Sequence, residues 1–217
     1  NRPEDFNLKP DGTYNLKKTR KPEKPETNFT LKSAKQTRAF WMFGLTLAFN
    51  SFFITGFTFH VISIFASQDY SKSQAIAVFV PIAVIAITVS TLCNVLSDYI
   101  RHKIYLYIML ASGVLASLGL LFLSHKLGVY MLMAGLGIFS GLFAVVNAVT
   151  WPRFFGRKNL GAITGKVMSF LVIGSAIAPS LFSYCYTNLG SYSYISYVTL
   201  AFLLFLIIGS VKVKNPQ

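Results

Sequence analysis

The sequence predicts an all-α membrane protein with six transmembrane helices, on three observations. Charged residues make up only 12% of the 217-residue chain, about half the usual ~25% of a soluble domain. Hydrophobic residues reach 53%. Six runs free of Asp, Glu, Lys and Arg cover residues 39–66, 73–97, 104–123, 128–150, 167–187 and 192–210. A helix needs ~20 apolar residues to cross a ~30 Å hydrocarbon core, and six such runs in series would leave a soluble fold no polar surface. A membrane β-barrel requires ~10-residue alternating segments, and these runs are continuous. A polar tail of 38 residues precedes the first run, so that run is not expected to be a signal peptide.

The net charge is +13, yet its placement argues against nucleic acid as a partner. The bases sit in short clusters between apolar runs. If residues 1–38 are cytoplasmic, 18 of the 20 Lys and Arg face the cytoplasm and only Lys72 and Lys126 lie outside. The positive-inside rule therefore predicts a multi-pass protein of the cytoplasmic (inner) membrane, with both termini of this segment cytoplasmic. Residues 1–38 form a cytoplasmic stretch, 39–211 the six-helix unit and 212–217 a short cytoplasmic tail.

Taken in order, residues 1–27 are rich in Lys, Pro, Asn and Glu and carry the basic run Lys17–Lys24. Such a composition cannot bury a core and reads as a flexible segment. Asn28-Phe29-Thr30 matches a glycosylation sequon that a cytoplasmic location leaves unused. Thr30 is placed to cap a short helix over residues 31–38, and Trp41 sits where headgroup-level anchors occur. The chain opens on Asn inside a polar segment, which is expected of the C-terminal portion of a longer protein. Cys93 and Cys185 lie in different spans without metal or redox spacing, and read as small packing residues with no disulfide.

Short loops force neighbouring helices antiparallel, and the six spans divide into two triplets. Pro81 and Pro179 fall in the middle span of each. A proline frees the carbonyl four residues earlier and kinks its helix. One kinked helix per triplet is the pattern of two inverted three-helix repeats. In the fourth span Gly135, Gly137 and Gly141, and in the fifth Gly174, Ser175 and Ala178, are small faces for close helix packing.

Two loops carry the most specific signals. Asn94-Val95-Leu96-Ser97-Asp98-Tyr99-Ile100-Arg101-His102-Lys103 sets one acid, Asp98, on a basic face, where it pairs with Arg101 or with bases of the next loop on that side. The stretch Trp151-Pro152-Arg153-Phe154-Phe155-Gly156-Arg157-Lys158-Asn159-Leu160-Gly161 continues to Gly165. Gly156, Gly161 and Gly165 allow tight turns and close approach, while Arg153, Arg157 and Lys158 hold the loop to the membrane surface.

The first of these loops resembles the G-x-L-a-D-r-x-G-r-k signature of the major facilitator superfamily, matching at Leu96, Asp98 and Lys103 and departing at Asn94, Tyr99 and Arg101. The second is similar to the W-P-R-x-F-G-R-x-x-L-G-x-I-x-G segment of bacterial oxalate/formate antiporter and monocarboxylate transporter relatives. Arg2-Pro3-Glu4-Asp5-Phe6 with Pro10-Asp11-Gly12 resembles their central cytoplasmic loop, and Thr58-Phe59-His60 with Ser63-Ile64-Phe65 the outer end of their seventh helix. The resemblance implies helices seven to twelve, one half of a twelve-helix transporter. An N-terminal six-helix half, the lipid bilayer and a small-molecule substrate would be its partners, and no cofactor is implied. Asp98, Arg101, Arg153, Arg157 and Lys158 would form a conformational latch. The arginine that these families place in the eighth helix for a carboxylate has no counterpart in residues 73–97, so that anion site does not carry over.

Polar groups within the spans are costly and tend to face cavities. Asn50, Thr58, Ser90, Ser175 and Tyr184 are the substrate-binding candidates, with Asn147 close to the end of its span. Ser51, Thr55 and Thr58 share a helical stripe, whereas His60 lies about 180° from Ser51 at 100° per residue. His60 is the proton-coupling candidate. The predicted function is secondary active transport of a small solute across the cytoplasmic membrane by alternating access, with an organic acid or monocarboxylate as the candidate class. A half-size or non-transporting membrane protein, such as a receptor, is the competing reading. A membrane enzyme is disfavoured, because His60, His102 and His125 do not converge on a metal and Asp98 has no carboxylate neighbour.

Overall fold

A computed structural model of the protein describes residues 27–216. The expectations placed on residues 1–26, including the Lys17–Lys24 run and the Arg2–Phe6 and Pro10–Gly12 motifs, lie outside the described residues. Eight helices and no strand occur among the described residues: α1 (Leu31–Lys35), α2 (Arg38–Ala66), α3 (Lys72–Ala77), α4 (Phe79–Leu96), α5 (His102–Leu121), α6 (Lys126–Phe155), α7 (Leu160–Leu189) and α8 (Ser193–Ser210). They supply six stretches long and apolar enough to span a membrane, with α3 and α4 together making the second. One end of the bundle gathers Arg38, Asp98, Arg101, Arg153 and Lys212, and is called the basic end below. Lys72 and Lys126 mark the opposite end.

Thr30 caps α1 as expected, in a reciprocal arrangement. Its hydroxyl accepts from Ser33 N at 3.2 Å, and Thr30 N donates to Ser33 Oγ at 2.9 Å. The helix is shorter than residues 31–38, because Thr37 interrupts it and caps α2, accepting from Phe40 N at 3.3 Å. Trp41 Nε1 then donates to the carbonyl of Lys35 at 2.8 Å and ties the two helices together.

The second span is not one helix. It breaks at Val78, between α3 and α4. Pro81 has no N–H to offer the carbonyl of Ala77, and its ring crowds that carbonyl. Pro179 acts differently and stays inside an unbroken α7. The fourth span runs further than expected: α6 passes through Pro152 to Phe155 and α7 starts at Leu160. The loop expected over residues 151–165 therefore shrinks to 156–159. A proline in the last turn of a helix costs one bond that neighbouring groups in a membrane protein can replace.

The packing is asymmetric between helices. α6 is central and lies against both α4 and α5, α2 lies along α7, and α8 lies along α5. Aromatic side chains fill the interior, with Phe43, Phe53, Phe57, Phe139, Phe155, Phe182 and Trp151 all buried. Gly137 and Gly141 let α6 sit against α4. A Cβ on Gly137 would fall 2.6 Å from Ile85 Cβ, and one on Gly141 2.6 Å from the Ala86 carbonyl. The small face of α7 does the same against α2, where a Cβ on Gly174 would meet the Ala48 carbonyl at 2.7 Å. Gly161 and Gly165, by contrast, lie inside α7 with nothing near a prospective Cβ, so neither turn nor close approach explains them. Cys93 is half-buried on α4 and Cys185 buried on α7, both as free thiols.

Coverage is also uneven. Eleven residues of α5 are buried, but only Ile82 of α4. Along α4 and α7 the exposed residues include Val80, Val84, Ile87, Met168, Val172 and Ile177. These two helices present large apolar faces that no other described residue covers.

Candidate functional site

Polar side chains gather in three places along the bundle: the basic end, the middle of α2 and α7, and the opposite end.

At the basic end, Arg153 closes the last turn of α6 against the C-terminus of α4. Its Nη2 forms an ion pair and hydrogen bond with Asp98 Oδ1. Its Nη1 donates to the carbonyl of Ser97, the C-cap of α4, at 2.7 Å. A guanidinium there satisfies an orphan carbonyl and opposes the negative end of the helix dipole. Arg153 Nη1 also lies 3.5 Å from His102 Nδ1 on α5. Since arginine only donates, Nδ1 accepts and the ring proton resides on Nε2, which is buried without a partner among the described residues. One side chain of α6 thus touches the ends of α4 and α5. Of the two pairings open to Asp98, the structure adopts the one across loops, with Arg153 and not Arg101. Arg101 lines the same cleft of about 550 Å³, together with Tyr99, Lys103 and Lys214.

The four-residue loop between α6 and α7 is held by the segment that precedes α1. Phe29 N donates to the Phe155 carbonyl at 2.9 Å, Lys158 N to Asn28 Oδ1 at 3.0 Å, and Asn159 Nδ2 to the Phe29 carbonyl at 2.9 Å. The Phe29 ring meets Phe155 edge-on at 5.5 Å. Asn28, the sequon residue, spends its side chain on this strap. Gly156 turns the chain with φ +76°, and a Cβ there would lie 2.5 Å from Asn28 Oδ1. Gly156→Ala is therefore expected to loosen the strap. With ψ at 176° this backbone lies in a region that essentially only glycine occupies, at a cost to an L-residue of about 1–3 kcal/mol. A lowered melting temperature in detergent and faster tryptic cleavage after Arg157 or Lys158 are the expected readouts.

In the middle, Thr55 on α2 and Ser175 on α7 share a hydrogen bond of 3.0 Å. Ser51 and Thr55 are half-buried and Thr58 exposed, so the stripe read from sequence forms one continuous polar edge of α2. Asn50 is not on it. It is 4% exposed, inside the bundle, and its Nδ2 has no partner among the described residues. It shares a stripe with Phe43 and Phe57, which meet Phe154 of α6 at 5.3 Å and Phe79 of α4 at 6.0 Å. Ser90 sits on α4, accepting from Asn94 Nδ2 at 3.4 Å, away from the α2–α7 edge. Asn147 accepts from Trp151 Nε1 at 3.4 Å.

At the opposite end, His60 joins three elements. Its Nε2 lies 3.0 Å from the Pro179 carbonyl of α7. A carbonyl only accepts, so Nε2 carries the proton and Nδ1 is the acceptor. The Tyr192 hydroxyl, just ahead of α8, lies 3.3 Å from Nδ1 and 2.9 Å from Ser63 Oγ, and its single proton serves one of them at a time. The imidazole stacks on Phe182, with centroids 6.0 Å apart and planes 11° apart. His60 and Tyr184 line one open cleft of about 590 Å³ with Ser180 and Ser183.

The structure thus brings Thr55 to Ser175, His60 to the cleft that holds Tyr184, and Asp98 to Arg153. It does not bring Asn50, Thr58, Ser90, Ser175 and Tyr184 into one pocket. Sequence reasoning missed Tyr192, Asn28 and Asn159. Asn28 carried a signal, as a polar residue ahead of a capped helix, but its partner lies 130 positions away.

Among the described residues the fold is all-helical, with six stretches long and apolar enough to span a membrane. No family model and no curated protein matches the chain.

Proposed function

We propose that this chain is the C-terminal half of a secondary transporter of the major facilitator type, moving a small solute across the cytoplasmic membrane by alternating access. The observation that carries the reading is the packing order. The middle helix of each triplet lies against the first helix of the other, α4 on α6 and α7 on α2. Exchanging the triplets exchanges these two pairings, which supports a reading as two inverted repeats. The same two helices carry Pro81 and Pro179 and the large uncovered apolar faces, which suit a partner half and lipid. The polar edge of Ser51, Thr55, Thr58 and Ser175 then faces the solute path, His60 sits at its outer end, and Asp98–Arg153 latches the inner end.

Such a machine needs no bond making. Solute binding that differs between inward- and outward-open states supplies the driving force. Without lysine, arginine or a carboxylate at mid-depth in these six helices, this half offers hydrogen bonds and not an ion pair to the solute. A charged substrate would take its counter-charge from the other half. The test is uptake and counterflow by the full chain in proteoliposomes, across labelled carboxylates and neutral solutes. Accumulation or exchange of at least one solute is expected. Failure of every solute to accumulate or exchange, with folded protein in the vesicles, overturns the proposal.

A further inference from the structure

A hollow on the side of the bundle away from α4 has a composition that transport does not explain. Between α2, α7 and α8 the surface sinks into a cavity of about 420 Å³ whose walls include Leu45, Phe49, Phe170, Ile177, Val198 and Phe202. Its lining is apolar throughout except for Thr199, whose hydroxyl is already spent on the Ser196 carbonyl at 3.0 Å. At the basic end a second hollow of about 370 Å³ lies between Lys35, Arg38, Trp41, Leu45 and Phe205. The two share Leu45, and Phe202 and Phe205 are neighbours on α8 with centroids 6.1 Å apart. They adjoin at Leu45, so that a channel running through both would be basic at its mouth and apolar within.

We propose that this channel binds an anionic phospholipid, with the headgroup phosphate on Lys35 and Arg38 and one acyl chain lying along Leu45, Phe49 and Phe202. Four observations point to that occupant. The mouth is doubly basic, and neither acid among the described residues, Asp69 or Asp98, lines it. Lys166 adds a third cation, 5.2 Å above the Phe170 ring. Trp41 stands at the mouth, 39% exposed and stacked on Phe170 at 5.6 Å, as aromatic residues do at the headgroup level. Its bond to Lys35 O fixes α1 across the mouth. The depth also fits. From Arg38 to Phe52 the α2 backbone rises ~21 Å at 1.5 Å per residue, matching half of a ~40–45 Å bilayer with its headgroups. A basic cluster beside an apolar slot of one-leaflet depth is the complement of an anionic lipid and of neither half alone.

The inference rests on the reading of the six helices as membrane-spanning but not on transport. Native mass spectrometry of the full chain, released from nanodiscs of phosphatidylcholine with a minor share of phosphatidylglycerol, measures which lipid stays bound. Phosphatidylglycerol is expected to be retained in preference. Lys35→Gln with Arg38→Gln should lower that preference ~10- to 30-fold, the scale of two basic residues at an anionic surface. Val198→Trp, filling the slot from α8, should remove the bound lipid while leaving the melting temperature in place. Ile177→Trp, from α7, gives the same readout if the first variant is unstable. An unchanged preference in the double glutamine variant overturns the proposal, as does lipid retained by a folded plugged variant. Full displacement by soluble glycerol phosphate would show that the slot is not used. A dimer that the plugs dissolve would assign the groove to a second copy. Solute uptake measured on the same samples separates failure here from failure of the transport reading.

Discussion

Substituting alanine at Gly135 is expected to leave little monodisperse protein after detergent extraction. The added Cβ would lie 2.4 Å from Ala116 N and 2.8 Å from both Ala116 Cα and the Ser112 carbonyl. All three are atoms of α5 backbone, with no side chain to rotate away. The α5–α6 contact would have to open along its length, separating Ala116 and Leu120 from Leu132 and Leu136, all buried. Overpacking of this kind costs about 1–3 kcal/mol when side chains yield, and more is expected where backbone must. Gly165→Ala is the control. It sits in α7 with nothing within 4 Å of the new methyl, and replacing a helical glycine should leave stability unchanged or raise it by about 0.5–1 kcal/mol. Thermal unfolding of both variants in one detergent checks the contrast. Equal melting temperatures would sink the close-packing account of α5 and α6.

Removing the Arg153 guanidinium should have the largest effect on function. Its partner Asp98 is 78% exposed at the side chain, so the ion pair by itself contributes only about 0–1 kcal/mol. The charge-assisted bond to the Ser97 carbonyl adds about 1.5–3 kcal/mol. Arg153→Ala is therefore expected to shift the balance between the two access states of the proposed transporter by roughly 10-fold or more, since the two contacts together supply about 1.5–4 kcal/mol. Asp98→Asn, which keeps the carbonyl contact, should shift it several-fold less. Labelling rates of single cysteines at the basic end, with and without solute, read the balance. A double variant whose effect equals the sum of the singles would show that Asp98 and Arg153 do not act together. Arg153→Lys should rescue only part, because an ammonium lacks the fork that reaches both the carboxylate and the carbonyl.

Much of the fold was legible because lipid makes a severe demand: each span must exclude Asp, Glu, Lys and Arg for about 20 residues, and the charge-free runs mark all six stretches. Their ends were less legible. The fourth apolar run closes at Thr150, ahead of the Trp151-Pro152-Arg153 loop motif, yet α6 continues to Phe155. Conversely, Pro81 foretold a kink, and the structure breaks the helix three residues earlier, at Val78. For the site, the spacing of Ser51, Thr55 and Thr58 was enough to put them on one edge. Which base Asp98 meets was not readable, since Arg101 and Lys103 share its loop and Arg153, Arg157 and Lys158 lie in the next on that side, and only the crossing of α4 and α6 selects Arg153. Asn50 shows the limit most clearly. Polarity within a span made it a substrate-binding candidate, but polarity does not say which side of a helix faces inward, and Phe43 and Phe57 on its stripe carry it into the aromatic interior.

The helices differ greatly in length. α2, α6 and α7 have 29 or 30 residues, and α8 has 18. At 1.5 Å per residue the long trio extends ~45 Å and α8 only ~27 Å. A hydrocarbon slab of ~30 Å fits α8 upright, while the long trio must lean or project. Thinning or thickening the bilayer changes that lean at a fraction of a kcal/mol per ångström. The long rods are tied to each other at Thr55–Ser175 and by the short Gly156 turn, so they would tip as a unit past α8. Acyl-chain length in the surrounding membrane then becomes a dial on the protein's shape, independent of any solute.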